Sequence, residues 1–333
     1  MHGLLFCISL KYMVILYAKR RVKMCTAITF CSKDHYFGRT LDYEKNFGES
    51  VVVTPRNFKL SFHSHYAMIG MAHVAKNYPL YYDAVNEKGL GMAGLNFPDN
   101  AHYNNPQVGM QNVASYELIP YILGQCSTVN EARILLENIN ITNQAFSDYL
   151  PPSPLHWMLA DKEQVLVIEQ LKDGLHTYDN PIGVLTNNPP FESQMYHLCQ
   201  YMNLSSAPAK NRFAQEVQLN AYSHGMGAIG LPGDVSSSSR FVRAAFTKMN
   251  SVCGQTEEES VNQFFHILGT VEQVRGCVEL EKGVYEITIY TSCANIDQGI
   301  YYYTTYENAT IQSVDMHQKD LNGTELICKP VKL

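Results

Sequence analysis

The stretch KMCTAITF, residues 23–30, places a methionine directly before a cysteine and a β-prone run directly after it. Methionine ahead of a small residue is readily removed from a new chain, so Cys25 is a candidate for a mature first residue. Such a residue carries a free α-amine, which titrates near pH ~8, beside its own thiol. A thiolate is a strong nucleophile and a thiol a weak one. On this stretch alone a buried structural cysteine is the favoured interpretation, and an N-terminal catalytic cysteine is the alternative.

Residues 1–23 differ from the rest of the chain. The run LLFCISLKYMVILYA is apolar apart from Lys11, and the basic run KRRVK follows it. A signal peptide has its positive charge before the apolar run, and a spanning helix needs a longer run. We expect a leader that arises from a mis-assigned start codon, with a cleaved leader or a short membrane anchor as alternatives. Residues 24–333 contain no linker or repeat, so we expect a single domain there.

Short strands separated by turns follow Cys25. The segments CTAITFCS, YFGRTLDYE and SVVVTPRNF are each typical of a strand. The segment HWMLADKEQVLVIEQLKDGLHTYD predicts an antiparallel meander of three strands, because the polar turns DKEQ and KDG divide it. The segment GVYEITIYTSCANIDQGIYYYTTYEN repeats that pattern near the C-terminus.

Helical patterns stand between these groups of strands. SYELIPYILGQC is apolar at helical spacing, and Ser115 is its candidate N-cap. Thr128 with Glu131, and Thr256 with Glu259, have the spacing of a capping box at the start of a helix. Strands, then helices, then strands predict a layered α+β domain and disfavour a parallel Rossmann sheet.

Composition excludes several classes of protein. The net charge of −6 and the absence of a basic cluster after residue 23 argue against a nucleic-acid partner or an anionic membrane surface. The nine cysteines are widely spaced without a CxxC pair, which argues against a zinc ribbon or a thioredoxin site. Scattered cysteines in a long chain are typical of reduced thiols in the cytosol, so we expect a cytoplasmic protein.

Four polar residues are candidates for chemistry with Cys25. An arginine at position 39 would favour a nearby thiolate, and an aspartate at position 42 could hold an ammonium group. Asn96 and Asn187 each close an apolar strand, where an amide or a backbone N–H could donate to an oxyanion. Ordinary alternatives exist for all four: a surface ion pair for Arg39 and Asp42, and turn chemistry for the two asparagines.

The segment HGMGAIGLPGD contains a GxGxxG pattern at Gly225, Gly227 and Gly230. No apolar strand leads into it and Pro232 follows it, so the pattern predicts a turned loop rather than a dinucleotide site. Arg240 ends the serine run that comes next, either as a positioned cation or as a surface residue.

The histidines do not predict a metal site. His63 and His65 form an HxH pair and His73 follows, but no carboxylate stands at ligand spacing. A GxSxG nucleophile elbow is absent from the sequence.

Taken in order, these motifs resemble the choloylglycine hydrolases, the family of bile salt hydrolases and penicillin V acylases within the N-terminal-nucleophile (Ntn) hydrolases. The resemblance covers nearly all of residues 24–333. It rests on MCTA, FGRTLDYE, TPRNF, NEKGLGMAGLNFP, LHWM, GVLTNNP, GLPGD, SSSSRF, YTSC and GIYYYTTYEN.

The resemblance implies a four-layer αββα sandwich, two antiparallel sheets between helical layers, and hydrolysis of a linear amide without metal or cofactor. It implies that the active form begins at Cys25, whose sulfur attacks the amide and whose amine is the base. Because family members often form tetramers, it also implies a homo-oligomer, most simply a homotetramer.

Carried over by motif, each remaining site residue receives a role. Arg39 would stabilise the thiolate and Asp42 would contact the new α-amine. Asn187 would donate a side-chain N–H, and Asn96 a backbone N–H, to the oxyanion. Arg240 would complete the polar cluster.

The substrate implied by the resemblance is a bile salt conjugated to glycine or taurine. Asn96 favours this branch, since many penicillin V acylases carry tyrosine there. A rigid steroid needs an apolar pocket, for which position in the matched segments suggests five side chains that core packing could equally explain: Leu41, Phe47, Phe146, Leu150 and Leu155.

Three alternatives stay open. A penicillin V acylase or an acyl-homoserine-lactone acylase would use the same machinery. A non-catalytic bile-acid-binding protein, tethered to a membrane by residues 1–23, would retain the fold alone. The remaining alternative is an unrelated α+β protein with chance motifs.

Overall fold

The structure is a computed structural model that describes residues 23–62 and 64–331. The leader expected at residues 1–23 therefore lies outside the described residues except for Lys23, and so does His63 of the HxH pair. In the part of the chain that is described, no helix combines the length and the apolar character needed to cross a bilayer.

Groups of strands alternate with one group of two α-helices and one group of three. The strands are β1 (Cys25–Cys31), β2 (His35–Tyr43), β3 (Glu49–Thr54), β4 (Met68–Ala75), β5 (Tyr78–Asn86), β6 (Gly91–Asn96), β7 (Gln111–Ala114), β8 (Ile139–Thr142), β9 (Leu155–Ala160), β10 (Val165–Leu171), β11 (Gly174–Asp179), β12 (Val184–Leu185), β13 (Glu279–Glu281), β14 (Val284–Tyr285), β15 (Ile287–Asn295), β16 (Ile300–Thr305), β17 (Asn308–Asp315) and β18 (Ile327–Pro330). The α-helices are α1 (Leu118–Gln125), α2 (Val129–Leu136), α3 (Phe191–Leu198), α4 (Ser237–Asn250) and α5 (Glu257–Gly269).

Two antiparallel sheets form the centre of the fold. Sheet A has the order β12-β1-β2-β15-β16-β17, and sheet B has the order β11-β10-β9-β6-β5-β4-β3-β18. Strands distant in sequence are neighbours in both sheets. In sheet A, β1 pairs with β12 and β2 with β15; in sheet B, β6 pairs with β9 and β3 with β18. The sheets therefore bring the N-terminal, middle and C-terminal segments together, and this arrangement lets motifs far apart in sequence share one site.

Alternation along the strands separates two cores. In β3, Val51 and Val53 belong to the core that includes the facing sheet, whereas Val52 packs in a second core with helix α1. Successive side chains of a strand point to opposite faces, so sheet B is covered on both faces. Helices α1 and α2 supply the outer cover, with Leu118, Ile122 and other residues buried against the sheet.

Helices α4 and α5 cover sheet A in the same way. Phe241 of α4 and Phe264 of α5 are buried in the core that contains Ile28 of β1, and both helices contact strands of sheet A. The order of layers is helices, sheet, sheet, helices. The predicted αββα sandwich is confirmed, and the three-strand meander appears as β9, β10 and β11.

Two of the predicted helix starts need correction. Thr256 and Glu259 form the full capping box. Thr128 caps α2 through Glu131 N, but the Glu131 carboxylate accepts from Ser127 N rather than from Thr128 N. The prediction that Ser115 is an N-cap is wrong.

Helix α1 begins at Leu118, and its N-cap residue Glu117 makes no capping hydrogen bond through its side chain. The Glu117 N–H bonds to Ala114 O (2.9 Å), which closes a turn after Ser115. This turn displaces the helix start by two residues from where a Ser115 cap would place it.

Strands β2 and β15 approach closely at Gly38. A Cβ atom built on Gly38 would lie 2.0 Å from the carbonyl oxygen of Ser292 in β15. Glycine is needed here for close backbone approach, since real carbon and oxygen atoms do not come so near. Gly38 directly precedes Arg39, so this contact helps to fix one candidate site residue.

We expect Gly38→Ala to lower the free energy of unfolding by at least about 1–3 kcal/mol, because the added methyl group forces β2 away from β15. Urea unfolding followed by circular dichroism measures this change. Gly269→Ala is the control, since no atom lies within 4 Å of its added Cβ and alanine favours a helix. Equal stability of the two variants would contradict the proposed close contact.

Candidate active site

Antiparallel pairing of β1 with β2 places the candidate nucleophile beside Arg39. Cys25 is opposite Leu41, and Ala27 is opposite Arg39. Directly opposed residues share a face of the sheet, and residues 39 and 41 lie on the same face because they are two positions apart. The Cys25 thiol therefore points with Arg39 and Leu41 into the space between the two sheets.

Arg39 is fully buried and is held mainly by backbone carbonyl groups. Its Nε donates to Thr40 O (3.1 Å), and its Nη1 donates to Tyr82 O (3.1 Å) and, at short range, to Gly94 O. Its Nη2 has no hydrogen-bond partner among the described residues. Burial alone would lower the pKa of Arg39, but attraction to Cys25, Tyr290 and Asp83 raises it on balance. Arg39 is thus a fixed positive charge with one nitrogen available beside the thiol.

Burial dominates the protonation of the Cys25 thiol. The residue is 1% exposed, and desolvation raises its pKa although Arg39 acts in the opposite direction. Asp42 raises the pKa further through its charge. With Met24 attached the thiol is therefore neutral near pH 7. Arg39 favours the thiolate, as expected, but its effect is smaller than that of burial in this form of the chain.

The backbone on both sides of the Met24–Cys25 peptide bond is held by polar groups. Cys25 N donates to Asn187 Oδ1 (2.8 Å), and Arg240 Nη1 donates to Cys25 O (2.6 Å). The Asp42 N–H donates to Met24 O (3.1 Å). Three of the predicted site residues therefore surround the nitrogen and the carbonyl groups at the candidate mature start.

Asp42 lies on the helix-facing side of sheet A. Its Oδ1 accepts from Thr288 Oγ1 (2.7 Å) and its Oδ2 from Thr40 Oγ1 (3.2 Å). Burial raises the pKa of Asp42 to about 6, against the lowering effect of Arg240 and these hydrogen bonds. In the chain with Met24 attached, the hydrogen bond of Cys25 N goes to Asn187, and the predicted contact between Asp42 and a free amine stays a prediction.

Arg240 reaches the same place from the first turn of α4. It is fully buried, donates from Nη1 to Thr26 Oγ1 (2.6 Å) and from Nη2 to Asn187 Oδ1 (2.7 Å), and is anchored by Nε to Val235 O (3.1 Å). Its guanidinium thus connects strand β1 to the loop that carries Asn187.

The two asparagines meet at the end of β6. Asn187 Nδ2 donates to Asn96 O (2.8 Å). Phe97 N donates to Pro154 O (2.8 Å), next to β9. Successive N–H groups of a strand point in opposite directions, so the N–H of Asn96 points away from β9, towards the side where Asn187 Nδ2 lies. An amide nitrogen has two N–H groups, and one of those on Asn187 Nδ2 is used by Asn96. A second N–H of Asn187 and the N–H of Asn96 can therefore converge on one oxygen atom.

Buried hydrogen bonds fix the backbone of Asn187. Its N–H donates to Ser237 Oγ (2.9 Å), and its carbonyl oxygen accepts from Gln194 Nε2 (2.7 Å). The preceding carbonyl group, of Thr186, is bonded by the buried ring of His156 (2.7 Å), whose other nitrogen pairs with Glu169 (3.0 Å). Strand β9 therefore positions the asparagine loop through His156.

A cavity opens beside Cys25. Its volume is about 220 Å³, and its wall includes Cys25, Arg39 and Asn96. The five predicted pocket residues all line this cavity: Leu41, Phe47, Phe146, Leu150 and Leu155. Phe146 and Leu150 belong to the loop before β9, as the sequence predicted. The cavity places an apolar wall next to the polar cluster.

Several residues near the site were not predicted. Tyr43, Tyr82 and Tyr116 add aromatic surface to the cavity. Two buried carboxyl groups also lie there: Asp83, which accepts from Tyr290 (2.5 Å) and two other hydroxyl groups, and Glu286, which accepts from Met24 N (2.6 Å). A carboxylate inside an otherwise apolar strand pattern, as in YYDAV and VYEIT, is the signal that could have identified them.

Within residues 23–62 and 64–331, no group of three or more His, Cys, Asp and Glu side chains is arranged to hold a metal ion. The side chains around Cys25 include the Asn187 amide and the Arg39 and Arg240 guanidinium groups, which suit a developing oxyanion.

Comparison with known sequences gives one consistent result. The model of the family described as linear amide C–N hydrolases, choloylglycine hydrolase family, matches residues 25–329. A bile salt hydrolase/transferase of Lactiplantibacillus plantarum is 52% identical over 315 residues, which cover 93% of this chain and 97% of that protein. Another, of Clostridium perfringens, is 38% identical over 314 residues, covering 91% and 95%.

Solved structures agree with this result. A variant of the conjugated bile acid hydrolase from Clostridium perfringens superposes with a TM-score of 0.86 at 36% identity, covering 92% of this chain and 97% of the other. A penicillin V acylase from Agrobacterium tumefaciens superposes with a TM-score of 0.69 at 19% identity, covering 92% and 90%. The second likeness concerns the fold alone.

The raised pKa of Asp42 predicts a pH-dependent stability. Its pKa moves from 3.8 to about 6 on folding, so its contribution to stability is full below pH ~4 and is lost as the pH rises through about 6. Asp42→Asn removes this loss. We therefore expect the free energy of unfolding of the variant, minus that of its parent, to increase between pH 4 and pH 7.5.

Urea unfolding at four pH values checks this expectation in a Cys25→Ala chain whose intact mass retains Met24. The exposed Asp148→Asn is the matched control for removing one negative charge. A difference that stays flat, or that falls with pH, would show that burial does not dominate at Asp42.

Proposed function

The chain belongs to the choloylglycine hydrolase family, whose members hydrolyse linear amide C–N bonds, and we propose that its substrates are bile salts conjugated to glycine or taurine. The observation that carries this proposal is the 52% identity with a bile salt hydrolase/transferase over 93% of the chain. The apolar cavity beside Cys25 supports it, since a steroid acyl group needs such a wall. The products are the free bile acid and the amino acid.

We propose that the active form begins at Cys25. While Met24 is attached, the nitrogen of Cys25 is an amide and has no basic lone pair, and the thiol is neutral. The family match begins at Cys25, and this supports the proposed start. Removal of the preceding residues would create an α-amine next to Asn187 and within the cluster of Arg240 and Asp42.

The reaction follows from this geometry. The α-amine takes the thiol proton as the Cys25 sulfur attacks the amide carbonyl carbon. The N–H groups of Asn96 and Asn187 stabilise the oxyanion, and removal of one such donor costs about 10²–10³ in rate. The C–N bond then breaks and the amine leaves with the proton of the α-ammonium. Water, deprotonated by the same amine, cleaves the thioester and releases the acid and the thiol.

We propose acyl transfer to an amine as a second reaction, because two relatives are named bile salt hydrolase/transferase. The thioester is open to attack by any nucleophile that enters the leaving-group position. An amino acid that binds there would form a new amide by the reverse of the first half-reaction. We propose that the chain catalyses this transfer when amines are abundant.

We propose a homotetramer as the assembly. The segment between α3 and α4, residues 199–236, contains only short 3₁₀ turns and exposes a series of large apolar side chains. Phe213 and Tyr222 are 87% and 85% exposed. Surfaces of this kind mark interaction sites, and a second copy of the chain is the partner proposed for this one.

We propose a cytoplasmic location. The eight cysteines among the described residues are all free thiols, and scattered unpaired thiols are typical of reducing compartments.

The test of function is deconjugation by Cys25 variants. We expect wild-type protein to release glycine or taurine from glycocholate and taurocholate faster than it cleaves penicillin V or an acyl-homoserine lactone. Cys25→Ala should reduce this release to the uncatalysed rate, and Cys25→Ser should be far weaker than wild type because a hydroxyl is the poorer nucleophile. Release of amino acid is measured with ninhydrin, and intact mass is measured on the same samples.

The alternatives give different results. Faster cleavage of penicillin V would favour the acylase reading, and a chain that retains Met1 and cleaves none of the amides would favour the bile-acid-binding protein. Parental rates in Cys25→Ala would overturn the mechanism. Circular dichroism of each variant shows whether a loss of rate reflects a loss of fold.

Light scattering tests the assembly. We expect wild type to have four times the mass of one chain, and Phe213→Ser with Tyr222→Ser to have a lower mass because the apolar contact is removed. Val108→Ser, also highly exposed in the monomer, is the control and should leave the mass unchanged. A monomeric wild type would refute the proposed assembly.

A further inference from the structure

Glu286 is a buried carboxyl group beside the nucleophile for which the proposed mechanism has no role. It lies between β14 and β15 and is 1% exposed. Its Oε1 accepts from Met24 N (2.6 Å). Its Oε2 is buried and has no hydrogen-bond partner among the described residues. Leaving a buried carboxyl oxygen unpaired is unfavourable, so a structural role alone does not explain the residue.

The position of Glu286 relative to Cys25 follows from the backbone. Consecutive backbone nitrogens are less than ~4 Å apart. Because Glu286 Oε1 is 2.6 Å from Met24 N, it lies within roughly 7 Å of Cys25 N even at the longest estimate. Loss of Met24 would remove the donor that Glu286 now uses and would place a charged amine within that distance. The same strand start supplies Thr288, which bonds Asp42 (2.7 Å).

We propose that Glu286 is a positioning residue for the α-amine of Cys25: after Met24 is removed, its carboxylate accepts a hydrogen bond from the α-ammonium, directly or through one water. This proposal rests on the proposed function, because it requires a chain that begins at Cys25. Asp42 also lies at the site, but each of its oxygens accepts from a threonine hydroxyl group. Glu286 Oε2 has no such partner among the described residues.

The charged groups around the α-amine decide in which direction Glu286 would shift its pKa. Asp42 faces it from β2, Arg240 from α4, and Arg39 lies on the far face of sheet A; Glu44 lies beyond the end of β2. With Met24 attached, burial and Asp42 raise the pKa of Glu286 to about 8, while the Met24 N–H and Arg240 lower it. An ammonium group nearby would favour the carboxylate, and the carboxylate in turn would hold the proton on the amine.

The test is the pH dependence of kcat/KM for glycocholate. The amine must be neutral to accept the thiol proton, so activity rises as pH passes its pKa. Glu286→Gln keeps the size of the side chain and removes its charge. We expect this variant to shift the acid limb towards lower pH by roughly one unit, while Glu286→Asp, which keeps the charge, stays closer to wild type. Glu258→Gln, exposed on α5, should leave the limb unchanged.

Two further measurements make the result decisive. Intact mass establishes that each variant begins at Cys25. Suppose that wild type begins at Cys25 and Cys25→Ala is inactive. If Glu286→Gln then has the same pH profile of kcat/KM as the control Glu258→Gln, the inference about Glu286 is wrong and the proposed function stands. If wild type begins elsewhere, or Cys25→Ala is active, the proposed function itself fails.

A second variant allows the test to be made even where Glu286→Gln does not fold. Glu286→Met has a similar length and no charge, and an apolar side chain suits a buried position. If Glu286→Gln does not fold, Glu286→Met should show the same shift of the acid limb. An unshifted limb in a folded Glu286→Met protein would overturn the proposal.

Discussion

Burial of the Arg39 guanidinium between two sheets is the constraint on which the site depends. Taking an isolated charge out of water costs several kcal/mol unless hydrogen bonds compensate. Here the compensation comes from both sheets: Thr40 O from sheet A, and Tyr82 O and Gly94 O from sheet B. The sheets must keep their relative position to satisfy this one side chain. Asp83 in sheet B completes the link, because it accepts from three hydroxyl groups of sheet A.

The chain end proposed at Cys25 would add a second positive charge beside the thiol. Desolvation is the largest influence on Cys25 and exceeds the attraction of Arg39. A unit charge at 4 Å in an effective dielectric of 20 contributes about 4 kcal/mol, or roughly three pKa units. The attraction between a thiolate and an ammonium group created next to it is thus large enough to offset a desolvation penalty. Removal of the preceding residues would therefore act on the charge balance as well as supplying a base.

The sequence predicted local features well and long-range contacts poorly. Strand and turn patterns identified the meander of β9 to β11, and Thr256 with Glu259 identified a true capping box. The prediction of a Ser115 cap was wrong because a hydroxyl group ahead of an apolar helical pattern does not show whether a turn separates it from the start of the helix. Glu286 and Asp83 were missed because their partners are distant in sequence: Met24 and Glu286 are 262 residues apart. Motif order located the cluster around Cys25, but the roles of its members remain predictions.

The residues proposed for the chemistry and those proposed to bind the substrate lie on different parts of the fold. Cys25, Arg39 and Asp42 are fixed by strand register, which a change of loop sequence leaves intact. The distal cavity wall includes Phe146 and Leu150, which belong to the loop before β9. Asn96 connects the two parts, since its backbone carbonyl oxygen accepts from Asn187 Nδ2 and the residue lines the cavity. A donor on the backbone, as proposed for Asn96, is unaffected by the residue type at position 96, so asparagine there can indicate the substrate class without bearing on the reaction.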